Sequence, residues 1–118
     1  MWTIEEVPKV YLMALVAWQA ARGCSVEGIR GVLHAIDNRA RSGPGHVEIA
    51  LGLLTEDTFP RAQDRVFFQI LGLTEQVLMG QDQDLTGGAT RYYESGTVPE
   101  WAEAMRETAH IGTFRFLK

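Results

Sequence analysis

The stretch AWQAARGCSVEGIRGVLHAIDNRARSG, residues 17–43, decides the fold. Its left part closes an apolar run that extends from Val10 to Ala21 on nearly every face, the pattern of a central core helix. Pro8 suits the N-terminus of that helix, where its missing N–H costs nothing, and Gly23 suits its C-terminal stop. Ser25 can then cap a second helix. In it Val26, Ile29, Val32, Leu33, Ile36 and Ala40 recur at helical spacing, and Glu27, Arg30, Asp37 and Arg39 make its outer face. Ser42-Gly43-Pro44-Gly45 ends it.

Downstream, Ile49 to Leu54 predict a short helix within the less patterned residues 46–59. Pro60 opens a third long helix with Ala62, Val66, Phe67, Ile70, Leu71 and Val77 inward; Gly72 weakens its middle and Gly80 ends it. The run QDQDLTGG at 81–88 is turn-forming. Ala89 to Glu94, rich in Thr and Tyr, reads as a strand. Ser95 to Pro99 form a loop, Glu100 to Thr108 a short helix, and His110 to Leu117 a last strand, the two strands pairing through Gly112 and their aromatic side chains. With no repeat, low-complexity tract or linker, residues 1–118 read as one α+β domain, mainly helical, with a small antiparallel β element near the C-terminus.

The bulk numbers narrow the function. A chain of 118 residues, 46% apolar, has enough for one core and argues against disorder. A net charge of −4 offers no basic field to neutralise phosphates, which weighs against nucleic acid as a partner. A lone cysteine, Cys24, excludes an internal disulfide. The apolar run Val10–Trp18 is shorter than the roughly 20 residues that span a bilayer, so no membrane insertion is expected. Glu5 and Glu6 stand where a secretory signal would carry positive charge.

Two segments, residues 17–43 and DLTGGATRYYESGTVPEWAEAMRETAHIGTFRF at 84–116, resemble the catalytic domain of SleB-type cell-wall hydrolases. The features of that family are an EARGE box ending the first helix, a helix closing on Asn-Arg (here Asn38 and Arg39), a GGAT(x)YY turn and strand, a P-x-W segment and a closing IG(x)HxF strand. The resemblance implies a lysozyme-like fold and cleavage of the β-1,4 bond between N-acetylmuramic acid and N-acetylglucosamine in peptidoglycan glycan strands, by a lytic transglycosylase or muramidase. One glutamic acid protonates the leaving oxygen and, in the transglycosylase, takes the proton of the muramic acid 6-hydroxyl as an anhydro ring closes. The separated carboxylate pair of other glycosidases is not required for that. No cofactor is implied. The substrate lies outside the cytoplasm, so delivery by another route or excision from a longer protein is expected. A protein partner for delivery or immunity is compatible with the chain, though no residue pattern points to one.

Aligning Ala21-Arg22-Gly23 with the box places Ala20 on its general acid/base glutamate and Cys24 on its second glutamate. Alanine has no proton to give, so the chain as written is expected to be inactive. Two explanations stand: an engineered replacement of glutamate, favoured by the family-like flanks, or a naturally non-catalytic peptidoglycan-binding domain. Arg91 and Phe114 replace two histidines of the family pattern, which favours the second.

Gln19, Arg22, Thr90, Tyr92, Tyr93, Glu94 and Trp101 are the candidate substrate contacts. Gln19 reads equally as a bonded internal amide, and Arg22 as an orderer of the adjacent loop. Strand alternation sends Tyr92 and Tyr93 to opposite faces, so one packs while the other can stack on sugar. Trp101 is a sugar platform or a core residue. Asn38 and Arg39 read as structural ties between the second helix and the β element. Glu94 is the better substitute acid, because Glu27 sits where the helix dipole favours a charged carboxylate. A thiol enzyme using Cys24 lacks a base at suitable spacing, since His34 lies too far along the same helix. His34, His46 and His110 have no metal-ligand spacing, so no metal site is expected.

Overall fold

The computed structural model describes residues 7–55 and 58–118, so Glu5 and Glu6 lie outside the described residues. Four helices come first: α1 (Val7–Ala21), α2 (Val26–Arg41), α3 (His46–Leu53) and α4 (Arg65–Leu78). A strand β1 (Arg91–Glu94), a 3-10 turn (Glu100–Ala104) and strands β2 (Glu107–Ile111) and β3 (Phe114–Leu117) follow. The strands form an antiparallel sheet in the order β1-β3-β2. This is the mainly helical α+β arrangement that the sequence implies. None of the described helices is long and apolar enough to cross a membrane.

α1 is the central helix. Met13, Ala14 and Ala17 are fully buried, and α2, α3 and α4 all pack against it. Such a helix is enclosed, which is why its sequence lacks a polar face. Ser25 caps α2 by accepting a bond from the Gly28 N–H at 3.2 Å. The other side of α2 carries the sheet, and Gly31 sets their separation: a Cβ there would stand 2.4 Å from Phe116 Cζ. Glycine at that position lets the buried Phe116 ring lie directly on the helix backbone.

Several boundaries differ from the sequence reading. α4 starts at Arg65, with Asp64 as N-cap accepting from the Phe67 N–H at 2.9 Å, so Pro60 and Ala62 belong to the preceding loop. A carboxylate cap outcompetes a proline as the start signal because it satisfies a free helix N–H. Within α4, Phe67, Ile70 and Val77 are buried as expected, whereas Val66 is exposed. α3 begins at His46, earlier than Ile49. The expected helix Glu100–Thr108 stops at Ala104, and the expected strand His110–Leu117 is a hairpin. Gly112, with φ of +59°, turns the chain between β2 and β3. It makes that turn and does not link the strand at 89–94 to the last one; β1 pairs with β3 through the register Arg91 with Leu117 to Glu94 with Phe114.

Candidate functional site

The polar half of α2 builds the site. Arg30, His34 and Asn38 are each one turn apart and share a stripe, which faces the 81–88 turn. Arg30 Nε and His34 Nε2 hold the Asp82 carboxylate, at 2.9 and 2.6 Å. Asn38 Nδ2 donates to Asp84 Oδ2 and to the Ala89 carbonyl, both at 2.9 Å. Asp84 also accepts from the Thr86 N–H (2.8 Å), the Thr86 hydroxyl (2.6 Å) and the Gly88 N–H (3.2 Å). Burial alone would raise the pKa of both aspartates. The bonds from His34 and Arg30 to Asp82, and from Thr86 and Asn38 to Asp84, outweigh it and hold both below the ordinary carboxylate value. A third buried carboxylate, Asp37, is likewise depressed, its burial outweighed by His46 at 2.7 Å and Arg41 at 3.0 Å. Arg30 and Asp37 are therefore partners in internal pairs, not members of an outer face.

Held in this way, the 84–89 turn launches β1 across the C-terminal half of α2. Between them lies a cleft of about 140 Å³, walled by Ile36 and Arg39 of α2, Leu53 at the end of α3, and Thr90, Arg91 and Tyr92, with Trp101 at its rim. Tyr92 turns inward and packs edge-on against Phe114 at 6.0 Å, and burial pushes its phenol up to about 12. Tyr93 turns the other way and meets Trp101 edge-on at 6.1 Å, as alternation requires. Trp101 is 36% exposed, so it is not a core residue. Arg91 lies over its ring, 5.6 Å from the centroid. Burial and the neighbouring Arg91 both lower the pKa of Arg39. Asn38 ties helix to strand as expected, while Arg39 walls the cleft instead.

The other candidates fall elsewhere. Gln19 spends its whole amide on the segment after α3: Nε2 donates to the Thr55 and Thr58 carbonyls, and Oε1 accepts from the Thr55 N–H and hydroxyl. It is a clamp that fastens the end of α1 to the chain just beyond Leu53. Arg22 stacks on Trp18 at 4.2 Å and donates to the Trp18 and Gln19 carbonyls, finishing α1. Trp18 and Arg22 also border a second, more open hollow with Thr58, Phe59 and Arg61. Ala20, partly exposed and packed on the core, sits next to the Gln19 clamp but is not among the cleft-lining residues. Glu94 is exposed at the end of β1. Arg91 and Phe114 stand at opposite ends of the β1–β3 ladder, so the two departures from the family pattern are not a contacting pair. Cys24 meets the Thr113 hydroxyl at 4.0 Å, while His34 and His46 are engaged by Asp82 and Asp37. Among the described residues no cluster of metal-ligating side chains forms.

An α-helical body with a small three-stranded antiparallel sheet set against one helix defines a mainly helical α+β class. Among solved structures the chain is similar to the catalytic domain of the Bacillus cereus SleB protein, with a TM-score of 0.66 and 21% identity over 95% of this chain and 91% of that one. It is also similar to the catalytic domain of the germination-specific lytic transglycosylase SleB from Bacillus anthracis, with a TM-score of 0.71 and 20% identity over 99% and 97%. The chain therefore has the fold of SleB catalytic domains. No family model and no curated relative matches it.

Proposed function

We propose that this domain takes a peptidoglycan glycan strand along a groove that includes the cleft between α2 and β1 and continues past the end of α1, where Ala20 lies, and that the chain as written holds the strand without cutting it. The observation that carries the reading is the end-to-end likeness to a lytic transglycosylase catalytic domain, combined with alanine where the EARGE box of such enzymes begins. In a SleB-type enzyme a glutamic acid at this position would protonate the bridging oxygen of the glycosidic bond. Its carboxylate would then accept the 6-hydroxyl proton as the anhydro ring forms. The methyl group of Ala20 can do neither. Gln19, the adjacent polar side chain, is saturated by its own chain, and Glu94 is solvated rather than enclosed. The site of action is the wall, outside the cytoplasm.

The test is mass spectrometry of fragments released from purified peptidoglycan by the chain and by its Ala20→Glu variant, with binding to the same sacculi measured alongside. Anhydromuramic products from the variant alone are expected; reducing-end products would make the restored enzyme a muramidase. Silence from both with binding retained would mean a glycan-binding domain that has lost more than its acid. Equal cleavage by both would refute the assignment of Ala20.

A further inference from the structure

We propose that Arg39 and Arg91 form a carboxylate-binding site that reads acidic groups carried by the strand; this rests on the cleft being the glycan groove. The chain is acidic overall, with a net charge of −4. Yet, among the described residues, this cleft is walled by two guanidinium groups and no carboxylate. Elsewhere the half-buried arginines Arg30 and Arg115 are neutralised, by Asp82 and Glu107. Among the described residues neither Arg39 nor Arg91 makes such a pair, although both are half-buried. Two like charges drawn into one partly desolvated hollow are costly unless an anion joins them.

The surroundings favour a carboxylate in particular. A guanidinium presents N–H groups in a planar fork that fits a carboxylate two-to-two. Stacking on Trp101 orients the Arg91 fork while leaving its edge free to donate. The Thr90 hydroxyl offers a neutral polar contact, and Ile36 and Leu53 give an apolar wall for a sugar face or a methyl group. Glycan strands bear carboxylates in two places, the lactyl group of muramic acid where its peptide has been removed and the free carboxylates of the peptide stem. Arginine at position 91 in place of a titrating histidine makes the recognition a permanent charge rather than a proton relay.

The experiment is an NMR titration of the unmodified chain with three disaccharides. One has a free lactyl carboxylate, one has that group converted to a neutral amide, and one carries an amide-linked stem peptide with free carboxylates. At least one acid is expected to bind about tenfold or more tightly than the neutral amide, the share of one charge-assisted pair. Which acid does so identifies the source. Arg91→Gln and Arg39→Gln should each erase that preference, so that the acid and the neutral amide bind alike. Equal affinity for the neutral amide and both acids, or a preference that survives Arg91→Gln, would overturn the site while leaving the glycan groove standing. Failure of all three to bind would overturn both readings.

Discussion

Replacing Asp84 with alanine should loosen the turn that positions β1, and the cost can be worked from its bonds. The carboxylate takes four hydrogen bonds, from the Thr86 N–H and hydroxyl, the Gly88 N–H and Asn38. Asn38 keeps its second acceptor, the Ala89 carbonyl, and the Thr86 hydroxyl can rotate. The Thr86 N–H, within a fully buried residue, and the Gly88 N–H are left without partners. At about 1–3 kcal/mol for each buried orphan, discounted for the half-exposed Gly88, the loss is about 3 kcal/mol. A domain of this size has a total stability of about 5–15 kcal/mol, so the variant should still fold. With urea slopes of about 1–3 kcal/mol per molar, its midpoint should fall by roughly 1–3 M, followed by the fluorescence of the three tryptophans. Linkage supplies a second signature. The folded-state pKa of Asp84 is depressed, so its contribution is complete above the unfolded value of about 4 and drains away as pH falls through the lowered one. The gap between the parent and Asp84→Ala should therefore be widest near neutral pH and narrow in acid. A midpoint no lower than that of the exposed-site control Glu103→Ala, or a gap that widens in acid, would refute the account.

Two further outcomes follow from packing. Gly31→Ala puts a methyl 2.4 Å from the ring of Phe116, and the overpacking of about 1–3 kcal/mol should exceed alanine's helix preference of about 1 kcal/mol; a Tm lower by up to roughly 10 °C is expected by calorimetry, and an unchanged or higher Tm would mean the helix and sheet are not in that contact. The Tyr92 phenol, held up at about 12 by burial, should appear as a late phase in a near-ultraviolet alkaline titration and vanish in Tyr92→Phe. Because the unfolded phenol ionises near 10, its share of stability is present below that pH and lost as pH rises towards 12.

The helices were legible because each buried face writes its period into the sequence: α1 apolar all round, α2 with Val32, Ile36 and Ala40 along one side. The hairpin was not, since Ile111, Thr113 and Arg115 carry the alternation straight across Gly112, and only the positive φ of that glycine separates two strands from one. The polar frame of the site was missed for a related reason. Arg30 and Asp37 look like solvated charges until their partners are in place: Asp82 is distant in sequence, and His46 reaches Asp37 only because the chain turns back after α2. The signal was present as the four-residue spacing of Arg30, His34 and Asn38 opposite a turn holding Asp82 and Asp84. A stripe of three hydrogen-bonding side chains drawn partly into the fold needs acceptors, and the acidic turn is where acceptors lie. Gln19 was legible as a bonded internal amide, but which groups it bonds was not, because its partners are main-chain groups of residues 55 and 58.

These bonds also bear on what alanine at position 20 costs the fold. The Gln19 clamp, the Asp82 and Asp84 anchors and the contact of Gly31 with Phe116 all bypass Ala20. A methyl at position 20, partly exposed, brings no charge and no polar group of its own into the fold. Restoring glutamate there adds a carboxylate at a site with access to water, so its cost in stability should stay within about 1 kcal/mol. Ala20→Glu should consequently unfold in urea close to the parent chain, whatever it does to peptidoglycan. That independence gives the activity assay its meaning: a folded, glycan-binding Ala20→Glu protein that still fails to cut would place the lost chemistry in the cleft wall, where Arg91 stands in place of the histidine expected from the resemblance.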